Sequence, residues 1–174
     1  MSRGNGGSAH VIGLGLCVFA AYMGLQHKAH AAEDSGPASM TCLTRTQQSN
    51  ARTIITTGSD MGIPRRGQEV AIATALQESG LYNLKGGMDG DNAGIFQQRP
   101  GWGSRAQRMD PGSAATAFYQ HLRRVPSWQS KSVNDAAQAV QQSGVPGAYG
   151  KWAQLAHKTV TNPAATACQP KRGK

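Results

Sequence analysis

The chain has 174 residues and a formal net charge of +9, a length that fits one domain plus an export segment. Aromatic residues make up 6% of it, which is thin for base stacking, and no nucleic-acid-binding module is legible, so the positive charge alone does not make it a specific nucleic-acid binder. Scattered arginines on a basic exported domain suit anionic wall polymers or a simple solvated surface.

Residues 1–31 read as a signal peptide: Arg3 and His10 precede the apolar run Val11–Leu25, and Ala29-His30-Ala31 is an A-x-A cleavage pattern. The alternative is a retained membrane anchor, with transient membrane contact through this segment, although the run is shorter than the roughly 20 residues a spanning helix needs. Cys17 follows the bulky Leu16 in mid-run, which argues against a lipoprotein site. Cleavage removes Arg3 and Lys28 and no acid, which leaves +7. It also leaves two cysteines, Cys42 and Cys168, and an even count in an exported chain reads as a disulfide, here closing nearly the whole domain. Residues 32–41 read as a flexible leader, 42–168 as the folded domain and 169–174 as a basic tail.

Helical spacing predicts a helix over Gln47–Met61, with Ala51, Ile54, Ile55 and Met61 on one face, ended by Gly62. Ile63-Pro64-Arg65 reads as a turn. The next helix, about Gln68–Ser79, is apolar on most sides through Val70, Ile72, Ala73, Ala75 and Leu76, which predicts burial; Gly80 is its stop. Between Asn83 and Ser104 the periodicity fails, and repeated glycines predict tight turns, with at most a small irregular or β-like wing. Pro111 opens a helix to about Arg124, and Pro126 breaks it. Ser132 or Asn134 could cap a helix over Asp135–Gln142, Gly144–Gly147 turns the chain, and a last helix covers about Ala148–Val160. The fold class expected is all-α, or α+β at most, with one helical domain and a glycine-rich loop beside its buried helix.

The residue on which chemistry can turn is Glu78, in the last turn of that buried helix. Backbone carbonyls there disfavour a carboxylate, and apolar surroundings disfavour it further, so both raise its pKa toward what a general acid for glycoside cleavage needs. Asp89 and Asp91, in the loop, could act as a second carboxylate or could bind loop amides. A calcium loop fits poorly, since Ala93 and Pro100 sit where oxygen ligands belong. No metal-ligand spacing, cofactor motif or nucleophile elbow is present. The two histidines after residue 31, His121 and His157, fall on predicted helices as surface or groove-edge groups.

The string Ala73-Thr74-Ala75-Leu76-Gln77-Glu78-Ser79-Gly80, followed by Gly94-Ile95-Phe96-Gln97-Gln98-Arg99-Pro100 and Gly101-Trp102-Gly103, resembles the signature of lysozyme-like peptidoglycan hydrolases and lytic transglycosylases, above all of exported actinobacterial cell-wall lysis domains. Ala137–Gln141 and Ala148–Trp152 look like the same group, so the resemblance covers about Gln47–Leu155. It implies a lysozyme-like fold, Glu78 as catalytic acid, Gln97 lining a glycan groove, and cleavage between N-acetylmuramic acid and N-acetylglucosamine in peptidoglycan strands. Ser79, Gln98, Trp102 and Tyr149 join Glu78 and Gln97 as candidate substrate contacts, while Ile95 and Phe96 are expected in the core. No cofactor is implied, and a monomer secreted to the cell wall is expected. The rival from another class is a non-catalytic peptidoglycan-binding scaffold of a secretion or conjugation apparatus.

Overall fold

The computed structural model describes residues 40–86 and 91–169. The predicted export segment, most of the leader, Asp89 and nearly all of the basic tail lie outside these residues.

Among the described residues there are six α-helices and no sheet, the all-α single domain expected. Helix α1 (Arg45–Asp60) begins two residues before the predicted start because a capping box forms: the Thr44 hydroxyl accepts from the Gln47 amide, and the Gln47 side chain accepts from the Thr44 amide. It buries Gln47, Ala51, Ile54 and Gly58, one stripe at helical spacing. Helix α2 (Arg65–Ser79) starts directly after Pro64, so the predicted turn is shorter than expected and its last residue, Arg65, is already helical. Proline is tolerated at a helix start because the first amides there lack intrahelical partners in any case. Every residue from Gly67 to Leu76 of α2 is buried. Gly80 ends it in the left-handed conformation at φ +61°, and the Gly80 and Leu81 amides return to the Leu76 and Ala75 carbonyls.

The glycine-rich loop forms isolated bridges, Leu84 with Gly94 and Ala93 with Gln98, rather than a wing of strands. Ile95 and Phe96 are fully buried, and the Phe96 ring stacks on Phe118 at 4.7 Å. Gly94 is required at the turn: its φ is +80°, and a Cβ there would lie 1.8 Å from the Arg108 carbonyl oxygen.

Helix α3 (Arg105–Met109) is a short element the hydrophobic pattern does not announce; a Ser104–Gln107 capping box starts it. Helix α4 (Pro111–Arg124) has the predicted bounds, with Asp110 as its cap. Helix α5 (Val133–Gln141) is capped by Ser132, which settles the choice between Ser132 and Asn134. A tight turn at Gly150–Trp152 replaces the start of the predicted last helix, so α6 runs over Ala153–Thr161. Helices α1, α4, α5 and α6 all pack on α2, which is therefore the central rod of the domain.

Cys42 and Cys168 form the disulfide expected. Beside it Leu43 pairs with Ala167, and Leu43 exchanges backbone hydrogen bonds with Thr166 and Cys168. The Gln47 side chain then donates to the Gly80 carbonyl at 2.8 Å and Asn50 donates to the Leu81 carbonyl at 2.8 Å, so α1 holds the end of α2. Replacing both cysteines by serine is expected to lower stability by about 2–4 kcal/mol, read as a lower denaturant midpoint at unchanged slope. Gly94→Ala is expected to cost at least about 2 kcal/mol, because a strained φ and a backbone clash act together; thermal unfolding of the purified domain measures it.

Candidate active site

Burial of α2 places Glu78 in a fixed position at the end of the central helix. Its side chain is half-buried, and the hydroxyl of Tyr149 donates to Glu78 Oε1 at 2.8 Å. Tyr149 is buried, so the hydrogen bond is partly shielded from water. One residue back along α2, Gln77 Oε1 accepts from Trp152 Nε1 at 2.9 Å. Two successive side chains of α2 are thus latched to the turn before α6.

Burial pushes the Glu78 carboxyl up from 4.5 to about 7; the Tyr149 hydrogen bond and the guanidinium of Arg99 pull it down without offsetting the burial. The expected direction holds, with desolvation as the principal cause. At neutral pH such a group is shared between acid and carboxylate, so it can release a proton and take one back in the same pH range.

The other candidate residues divide. Tyr149 joins Glu78. Ser79 does not face a groove: it is buried, and its hydroxyl is bonded at 2.7 Å to the Ile95 carbonyl and at 3.1 Å to the Ala75 carbonyl. It ties the end of α2 to the Gly94 turn, and a substrate contact would require breaking those bonds. Gln98 is also buried, with its side-chain amide donating to the Ala114 carbonyl and its backbone carbonyl accepting from Arg108. The glutamine pair is therefore split by the turn. Gln97 is partly exposed, at φ +47°, with its amide nitrogen on the Gly94 carbonyl at 2.7 Å, which leaves its amide oxygen and a second N–H with which it would meet a ligand. Trp102 is partly exposed and stacks on His121 at 3.9 Å, so one face of its indole is covered by α4. Asp91 is exposed, and Arg108 holds it by its backbone carbonyl; Asp89 lies outside the described residues.

Sequence reasoning passed over Gln77 and Arg99, although both lie within the quoted Q-E-S-G and Q-Q-R-P strings. It also passed over Gln141, which donates to the Phe96 carbonyl at 3.3 Å, and over Glu69, whose carboxylate meets His157 at 2.8 Å and Arg66 at 3.4 Å. Among the described residues no cluster of His, Cys, Asp or Glu could hold a metal ion, and no helix is long and apolar enough to cross a membrane. A separate recess of about 220 Å³, lined by Met40, Thr41, Lys151, Trp152 and Lys158 among others, contains neither Glu78 nor Tyr149. No protein-family model matches the chain, and no curated protein matches it.

The raised carboxyl has a consequence for stability. Between pH 4.5 and about 7 the folded state holds more protons at Glu78 than the unfolded state, so this group's contribution to stability falls as pH rises through that window. Glu78→Gln has no such loss. Relative to wild type it is expected to gain roughly 1–3 kcal/mol between pH 4 and pH 8, after allowance for partial solvent screening. Chemical denaturation of both proteins across that range measures the difference; a gap that stays constant or narrows would contradict the burial argument.

Proposed function

We propose that this protein is an exported enzyme that cuts peptidoglycan glycan strands between N-acetylmuramic acid and N-acetylglucosamine, as a lytic transglycosylase with Glu78 as its single working carboxyl group. The observation that carries this reading is the half-buried Glu78 at the end of a buried helix, held by Tyr149 and raised to about 7. The E-S-G and G-I-F-Q-Q-R-P strings, brought together by the Ser79–Ile95 hydrogen bond, support it, as does the disulfide, which suits an oxidising compartment.

In this reading Glu78, protonated, gives its proton to the glycosidic oxygen as the bond to the muramic C1 breaks. The resulting carboxylate takes the proton from the muramic 6-hydroxyl as that oxygen bonds to C1. The products are a 1,6-anhydromuramic end and a free 4-hydroxyl on N-acetylglucosamine, with the acid restored. A single group suffices because it sits near neutrality and serves in turn as acid and base. The Tyr149 hydroxyl stabilises the carboxylate between the two transfers. Arg99 adds positive charge beside it, and Gln97 would meet the glycan through its side-chain amide. A muramidase would add a second carboxylate near Glu78 to activate water; Asp91 is the described candidate.

Glu78→Gln is expected to lose wall lysis by at least about a hundredfold, the scale of one general acid–base group, while keeping its fold. Turbidity loss of purified cell walls gives the rate, and mass spectrometry of the released fragments gives the bond and the product. Anhydro ends support the transglycosylase and reducing ends a muramidase. Retention of the protein on walls with no new ends at all would leave the non-catalytic scaffold.

A further inference from the structure

We propose that Asn134 is the positioning residue for Tyr149: from α5 it fixes the backbone that delivers the tyrosine hydroxyl to Glu78. The side-chain oxygen of Asn134 accepts from two successive backbone amides, those of Tyr149 and Gly150, each at 3.2 Å. Its amide nitrogen donates to Asp135 Oδ1 at 3.3 Å, which orients the group with the oxygen toward the turn. Asn134 is free for this because Ser132 caps α5.

The arrangement answers a mechanical problem. Tyr149 follows Gly144–Gly147, four residues that are all exposed, and Gly147 sits at φ +73°. Such a connection gives little support to a side chain that must meet a carboxylate 71 residues away in sequence. On the far side the Trp152 amide returns to the Tyr149 carbonyl at 3.1 Å, and the Trp152 indole is latched to Gln77. Asn134 supplies the near-side anchor. Its helix is itself bound to the core through buried Val133, Ala136, Ala137 and Val140, so the tyrosine is referred to the same rigid body that carries Glu78. The side-chain bonds then form a chain from α5 through the Tyr149 turn to the end of α2. Among the described charged groups, Arg99 acts on Glu78 directly. Asp135, beside Asn134, is held by Ser132 and Asn134 and balanced by Lys131.

As a statement about the reaction this rests on Glu78 being the working acid, but its test needs no substrate. The Glu78 carboxyl carbon is titrated by NMR in isotopically labelled protein. Tyr149→Phe removes a donor to the carboxylate and is expected to raise the midpoint by about one pH unit, the scale of a hydrogen bond to a charged group. Asn134→Ala is expected to raise it in the same direction. The double variant is expected to match Tyr149→Phe alone, because the two changes remove one interaction. If the alanine variant does not fold, Asn134→Gln, which displaces the oxygen by one methylene, takes its place.

Asn134→Ala, or Asn134→Gln in its place, with Glu78 titrating as in wild type overturns the proposal. So does a double variant whose shift is the sum of the single shifts, or a Tyr149→Phe protein with an unmoved midpoint. Coupled titrations in a protein that releases no wall fragments would uphold the positioning role and refute the enzymatic reading, so the two fail separately.

Discussion

Everything at the candidate site depends on the burial of α2. Because residues Gly67 to Leu76 are enclosed on all sides, the helix cannot roll or slide without opening the core, and close-packed interiors resist that strongly. Its C-terminal turn is thereby fixed, and with it the depth at which the Glu78 carboxyl sits. That depth is what moves the group to about 7. The surrounding hydrogen bonds refine the placement: Gln47 and Asn50 of α1 hold the carbonyls just past the helix end, Ser79 ties it to the Gly94 turn, and Tyr149 closes over the acid.

Two opposing effects meet at Glu78. Removal of water favours the neutral acid, while the tyrosine hydroxyl and the arginine charge favour the carboxylate. If burial acted alone, the group would be a poor base; if the hydrogen bond and charge acted alone, it would be an ordinary carboxylate. The balance leaves a group able to exchange a proton in both directions near neutrality, which is the property the proposed reaction needs.

Much of the scaffold was legible in the sequence because its signals are local. The apolar run of α2 and its glycine stop, Pro111 at the start of α4, and the pair of cysteines each state their role within a few residues or by simple counting. Two starts trace to caps: Thr44 with Gln47 begins α1 earlier than the spacing of apolar residues marks, and Ser104 with Gln107 begins α3, which that spacing does not mark at all. The candidate site was legible only in part, for a different reason. Ser79 and Gln98 sit in the quoted strings, yet whether a short polar side chain faces a groove or bonds a buried carbonyl depends on the approach of distant segments. Ser79 meets Ile95, and Gln98 meets Ala114. Asn134 is hidden in the same way, since nothing near it in sequence announces a partner fifteen residues on.

The central claim is that Glu78 is a neutral acid at pH values where an exposed glutamate is ionised. The infrared difference spectrum between wild type and Glu78→Gln at pH 6 tests it directly, because a protonated carboxyl and a carboxylate absorb at separate positions. The account predicts a wild-type carbonyl band of a carboxylic acid that fades as the pH is raised past 7. A spectrum that already shows only carboxylate at pH 6 would contradict it.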